Sequence, residues 1–199
     1  MHKLPLDFYQ RDTLYVAPAL IGCFLVRQTE KQMIIGRIKE TEAYIGPHDK
    51  ACHAYQNKYT ERTKPMFASG GIAYVYFVYG KYHCLNVVTE AEGMPCAVLI
   101  RSVEIVAGLE TAAQNRYQKN LPDLSAVQLK NMSNGPGKLC QAFAISRKLN
   151  QESLQKEKLF ICDQIMDLEK ETGIIEAGKR IGIAYAEEAQ DFLWRFYER

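Results

Sequence analysis

The chain has 199 residues, 47% of them hydrophobic and 24% charged, with a formal net charge of +2. High apolar content with low net charge excludes a disordered chain, and this length suits a single domain that buries most of its unfolded surface. The longest apolar stretch near the start, residues 19–26, is far short of the roughly 20 residues of a membrane helix, and charged Asp7, Arg11 and Asp12 stand where an export signal is apolar.

The six cysteines, Cys23, Cys52, Cys84, Cys96, Cys140 and Cys162, include no C-x-x-C pair. They read as buried reduced thiols of a cytoplasmic protein rather than as zinc ligands or disulfides. Residues 111–150 carry six Lys/Arg against one Asp/Glu, a local basic excess that suits a polyanion or a solvated face.

Asp12 is placed to cap a helix in which Leu14, Ala17 and Ile21 feed a core and Gly22 marks the end. Pro18 cannot donate to the Leu14 carbonyl, so a kink or an early stop is expected. Residues 23–27 read as a strand. Residues 33–44 alternate well enough for another, with Ile35, Arg37, Lys39 and Thr41 on one face and Ile34, Gly36, Ile38, Glu40 and Glu42 on the other. Polar residues gather on both faces toward its end. Residues 46–71, bounded by Gly46-Pro47 and Gly70-Gly71, read as a long loop, a length at which loops are often functional.

Three β-branched and aromatic runs follow at residues 72–78, 84–89 and 96–103, with turns at 79–81 and 92–95, and read as an antiparallel meander. Helices are expected at 107–116, 125–130 and 137–148, the last opened by Asn134-Gly135-Pro136. Short strands at 160–162 and 180–184 close the chain. Strands gathered in the first half and helices in the second predict an α+β fold.

Glu40 and Glu42 lie two apart on a predicted strand and share a face. Apolar Ile34, Ile35 and Ile38 lead into them, so the far end of the strand can open into a cleft where a desolvated carboxylate acts as a general base. Taken alone the pair also reads as a solvated strand end. The run Tyr74-Val75-Tyr76-Phe77-Val78-Tyr79-Gly80 reads either as core or as a stacking surface for bases, with Tyr79 at a hairpin tip. His48 and His53 are five apart, a poor metal spacing, so a hydrogen-bonding role is expected. Arg62, Lys64 and Arg101 are candidate phosphate contacts, and Asn86 is either a structural amide or a reader of a base edge.

These fragments, taken in order, resemble one family. Glu40-Thr41-Glu42-Ala43-Tyr44, Gly46-Pro47, Ala51-x-His53, Met66-Phe67 and Tyr74-Val75-Tyr76-x-x-Tyr79-Gly80-x-Tyr82-x-Cys84-x-Asn86 are similar to the alkyladenine (3-methyladenine) DNA glycosylases of the mammalian type. Phe8-Tyr9-Gln10-Arg11-Asp12, Ala97-Val98-Leu99-Ile100-Arg101, the run from Asn134 to Ala142 and Arg180-Ile181-Gly182-Ile183 extend the likeness over nearly the whole chain.

The resemblance implies a single α+β domain, a curved and mainly antiparallel sheet with a protruding hairpin, flanked by helices. It implies Glu42 as the general base and Arg101 as a contact steadying water and the flipped nucleotide. Tyr44, His53 and Tyr76 become the walls of a base pocket, Asn86 its screen against the guanine amine, and Tyr79 the wedge in the duplex. The implied partner is double-stranded DNA containing alkylated or deaminated purines, handled by a monomer without cofactor or metal. The implied reaction leaves an abasic site without strand cleavage, because no lysine stands at a Schiff-base position. Two rivals are a non-catalytic nucleic-acid-binding module and a metal-dependent hydrolase built on His48 and His53.

Overall fold

The 13-residue strand Met33–Ile45 is the spine of the fold, because it is long enough to be shared by three neighbours. In the computed structural model, which describes residues 1–165, 168–170 and 172–199, ten strands form one sheet. They are β1 (His2–Lys3), β2 (Phe24–Gln28), β3 (Met33–Ile45), β4 (Ala73–Val78), β5 (Tyr82–Val88), β6 (Cys96–Ala107), β7 (Leu159–Ile165), β8 (Leu168–Glu169), β9 (Ile175–Gly178) and β10 (Arg195–Glu198). The order is β1-β7-β2-β3-β6-β5-β4, with every pairing antiparallel. Strand β2 takes the first half of β3's free edge and β10 the second, opposite Glu40, Thr41 and Glu42. The architecture is the α+β fold that the pattern predicted.

Period two sorts the meander into two faces. Ala73 and Val75 of β4, Leu85 and Val87 of β5, and Val98 and Ile100 of β6 enter the main core. That core is closed by α2 (Thr13–Ala19), α3 (Leu109–Tyr117) and α5 (Pro136–Ala142), which contribute Val16, Ala112, Ala113 and Leu139. The alternate residues turn to the other face, which the segment from 46 to 71 covers with Cys52, Ala54 and Met66. Two further helices, α1 (Leu6–Tyr9) and α4 (Ala126–Lys130), lie between these elements, and α4 carries a capping box in which Ser125 and Gln128 bond reciprocally.

Several expectations need correction. The helix predicted over 137–148 stops at Ala142 because Ile145 returns to the core: its N–H bonds the Cys140 carbonyl at 2.8 Å, and Ala144 takes a left-handed φ of 49°. The helix predicted from 107 begins at Leu109, since Ala107 still belongs to β6 and Gly108, at φ +79°, packs so close to Met33 that a side chain has no room. The strand predicted at 180–184 is a loop. Arg180 spends its side chain on buried partners, Gly182 is left-handed, and the Ile181 N–H goes to a side chain instead of a ladder. Residues 46–71 are not featureless: short 3-10 turns at Tyr55–Asn57 and Lys64–Phe67 fold them onto the sheet. Asp12 caps α2 through Leu14 and Tyr15, as expected, and Pro18 sits in its last turn. All six cysteines are free and buried.

Candidate active site

Strand register assembles the site. On the face away from the main core, Glu42 of β3 is opposed by Leu99 of β6, Leu99 by Asn86 of β5, and Asn86 by Tyr74 of β4. The next rows are Tyr44 with Ala97, and Tyr76 with Cys84. All of these side chains except Glu42 floor a cavity of about 340 Å³. One wall is His53, Arg62 and Met66 from the segment after β3; another is Ile181, Gly182, Ile183 and Tyr185 from the loop after β9. The volume falls in the usual range for small-molecule sites.

Tyr79 stands at the rim on the β4–β5 hairpin. It and Gly80 occupy the two central turn positions with φ of 53° and 63°, and the Lys81 N–H closes the turn onto the Val78 carbonyl at 3.2 Å. Paired positive φ values match the twist of a tight hairpin. The ring is 85% exposed, a large apolar surface left in solvent.

Glu42 is fully buried and lies just behind the cavity wall, and its three partners are all wall residues. Tyr44 Oη donates to Oε2 at 2.8 Å, Ile181 N–H donates to Oε1 at 2.8 Å, and Arg101 Nη1 stands 3.4 Å from Oε1. Burial raises the Glu42 pKa above the carboxylate range; Arg101, the Ile181 N–H and Tyr44 pull it back, and Glu40 adds a small upward push. A carboxylate has about four acceptor positions, and these three partners engage three of them. Arg101 falls at a register shift in the β3–β6 ladder, where bulges commonly re-aim side chains. Its Nε bonds Glu40 Oε1 at 3.2 Å, and Arg195 Nη1 grips the same oxygen at 2.9 Å. Of the polar residues that blurred the alternation late in β3, Glu40 and Glu42 are spent on this charge network, while Thr41 donates to the Ala17 carbonyl and Lys39 pairs with Glu198.

His53 is held from both sides. Arg62 Nη2 stands 3.1 Å from Nε2 and Tyr74 Oη stands 3.0 Å from Nδ1. Guanidinium only donates, so Nε2 accepts and Nδ1–H donates to Tyr74. Burial and then the Arg62 charge lower the His53 pKa to about 4, which keeps the ring neutral. Its edge meets Tyr76 at 4.6 Å between centroids, and Arg62 lies 5.0 Å over the same Tyr76 ring. Asn86 is buried and donates from Nδ2 to the Tyr74 carbonyl at 3.2 Å.

The structure therefore gathers Tyr44, His53, Tyr76, Tyr79, Asn86, Arg101 and Arg62 around one cavity, with Glu42 behind it. Lys64 is exposed and lies outside the lining. His48 is exposed, both His53 nitrogens are engaged, and no group of three metal-ligating side chains occurs among the described residues. Sequence reasoning gave no site role to Ile181 or Tyr185, and it left Tyr74 within an aromatic run that was either core or a stacking surface. Tyr74 was legible, since it shares a face with Tyr76. The Ile181 contribution is a backbone N–H, which leaves no trace in residue type.

The sequence pattern of the methylpurine-DNA glycosylase family matches residues 7–199. A protein of Alkaliphilus oremlandii (strain OhILAs) is 50% identical over 196 residues, covering 98% of this chain and 95% of its own length. One of Clostridium novyi (strain NT) is 48% identical over 197 residues, covering 99% and 95%. One of Clostridioides difficile (strain 630) is 46% identical over 197 residues, covering 96% and 98%. All three bear the name "putative 3-methyladenine DNA glycosylase". With an aromatic cavity on the sheet, a buried carboxylate behind it and family likeness from one end to the other, the chain belongs to the methylpurine-DNA glycosylases, hydrolases of N-glycosyl bonds.

Proposed function

We propose that this glycosylase extrudes alkylated purines, 3-methyladenine foremost, from duplex DNA and hydrolyses the glycosidic bond with a water activated by Glu42. A stacked base hides its sugar C1′, so the nucleotide must rotate out at a cost of a few kcal/mol, less where damage weakens pairing. Tyr79, exposed on a tight turn, offsets that cost by filling the vacated stack. The extruded ring enters among Tyr44, His53 and Tyr76. A purine alkylated at N3 or N7 is cationic and is drawn to the ring faces. His53, neutral at physiological pH, adds no charge against it.

The same positive charge makes the base a good leaving group, so one carboxylate serves where ordinary glycoside hydrolysis uses two. Glu42 takes the proton as water oxygen bonds to C1′, and the glycosidic electron pair leaves with the base. The products are free purine and an abasic site. No lysine lines the cavity among the described residues, which supports a monofunctional enzyme without a Schiff-base step. Neutral hypoxanthine and ethenoadenine need a proton on the leaving base, so they follow 3-methyladenine in this reading, as does 7-methylguanine, whose exocyclic amine meets Asn86. Arg62 at the rim and exposed Lys64 are assigned to DNA phosphates, and the enzyme is taken to act as a monomer.

The observation that carries the proposal is the buried Glu42 carboxylate, held by three donors against the back of a cavity lined with aromatic rings. The test is Glu42→Gln in single-turnover release of 3-methyladenine from alkylated duplex. Loss of general-base work predicts a rate lower by about 10²- to 10⁴-fold. A rate within threefold of the parent removes Glu42 from the mechanism.

A further inference from the structure

We propose that Arg180 is a positioning residue of the hydrolysis, setting the Glu42 carboxylate through the Ile181 N–H and bracing the Tyr44 ring from behind the cavity wall. The inference rests on the reading of Glu42 as the base.

Four of the five guanidinium N–H groups of Arg180 are committed. Nη1 donates to Asp49 Oδ2 at 2.5 Å and to the Ala43 carbonyl at 2.8 Å. Nη2 donates to Asp49 Oδ1 at 2.7 Å and to the Ala189 carbonyl at 3.1 Å. Both side chains of the Arg180–Asp49 pair are fully buried. The guanidinium is also sandwiched: its central carbon lies 4.7 Å from the Tyr44 ring centroid and 5.1 Å from that of Trp194.

Each contact touches the catalytic arrangement. Ala43 is the residue between Glu42 and Tyr44 on β3. Asp49 holds the turn after β3, accepting from the Ala51 N–H at 3.0 Å. Ala189 belongs to the segment that follows the cavity loop. Arg180 is itself the residue before Ile181, whose N–H reaches Glu42 Oε1 at 2.8 Å. One rigid planar fork therefore joins the strand bearing the base to the loop bearing the base's backbone donor. Arg180 does not line the cavity, so its stack covers the Tyr44 face turned away from the extruded purine. A small displacement of this fork moves the carboxylate and the ring together.

Arg180→Lys keeps the charge but loses the fork and the flat stacking surface. Asp49→Asn keeps the shape and weakens the grip from the other partner. Both variants are measured for thermal midpoint, lesion-duplex Kd, and single-turnover excision at saturating enzyme across pH. The expected result is folded protein, Kd within threefold of the parent, and excision slower by about 10- to 100-fold, as misplacement of reacting groups entails. The acid limb of the rate profile should shift, which a purely structural role does not produce. Placed in the Glu42→Gln background, Arg180→Lys should slow excision no further, because both changes act on one unit. Excision within threefold of the parent in whichever variant folds, or a full extra loss in the Glu42→Gln background, overturns the proposal. If Glu42→Gln itself keeps the parent rate, the reading of the base falls instead. If Glu42→Gln is slow and the two positioning variants are not, only the role of Arg180 falls.

Discussion

Tyr44→Phe isolates one hydrogen bond to the proposed base without emptying the pocket. The phenol donates to Glu42 Oε2 at 2.8 Å, while the ring itself forms part of the cavity wall. Removing the hydroxyl leaves the stacking surface in place and strips the carboxylate of one of its three donors. A buried hydrogen bond to a charged group contributes about 1.5–3 kcal/mol. At about 1.36 kcal/mol per decade, Glu42 should then bind its proton roughly ten- to a hundredfold more tightly. The sign is fixed: burial already raises this pKa, the base works deprotonated, and activity is lost as pH falls through the folded value. In Tyr44→Phe the acid limb of single-turnover excision should therefore move to higher pH. The rate on the acid side drops by about ten- to a hundredfold, and the alkaline plateau stays within threefold of the parent. The linked stability effect runs the other way. The folded state holds this proton more tightly than the unfolded chain, so the group's stabilisation is full at low pH and is lost as pH rises through the folded value. A profile superimposable on the parent, or a uniform loss at every pH with the limb unmoved, refutes the argument.

Two more expectations concern the rim and the frame. Tyr79→Ala should weaken binding to lesion duplex by roughly five- to over a hundredfold, the equivalent of about 1–3 kcal/mol of stacking, while the thermal midpoint stays put because the ring is already 85% exposed; equal lesion affinity for the two proteins contradicts the wedge. Asp49→Ala strands a fully buried guanidinium, which costs about 3–5 kcal/mol and, for a chain of this size, lowers the midpoint by roughly 6–20 °C. Calorimetric or urea unfolding reads this directly, and a loss below about 1 kcal/mol shows that the ion pair is not what secures the loop.

Much of the fold was legible because the signals are local. The capping aspartate before α2 and the β-branched and aromatic runs of β4, β5 and β6 are written within a few residues of where they act. The hairpin tip was equally plain, since glycine after Tyr79 permits the left-handed turn that lifts the ring into solvent. The short strands β9 and β10 were not. Four residues such as Ile-Glu-Ala-Gly or Arg-Phe-Tyr-Glu carry too little period-two signal; β10 becomes a strand because the free edge of β3 offers it a ladder, and β9 because β10 then offers it another. The predicted strand at 180–184 failed for the converse reason: its apolar alternation was real, but a buried carboxylate and a side-chain acceptor claimed its polar groups first.

Residue order alone settled that the aromatic and β-branched runs form a meander and that a tyrosine stands at the tip of its first hairpin, because strand patterning and turn chemistry depend only on neighbours, whereas the choice of Glu42 over Glu40 came from the family resemblance. Tertiary structure decided that Glu42, Leu99, Asn86 and Tyr74 fall in one row, since register belongs to the pairing of strands and not to any one of them. It also brought Arg180 to Asp49 across 131 positions and the Ile181 N–H to Glu42 across 139. Contacts of that separation form only when the closed fold excludes water and leaves each buried charge a single set of partners.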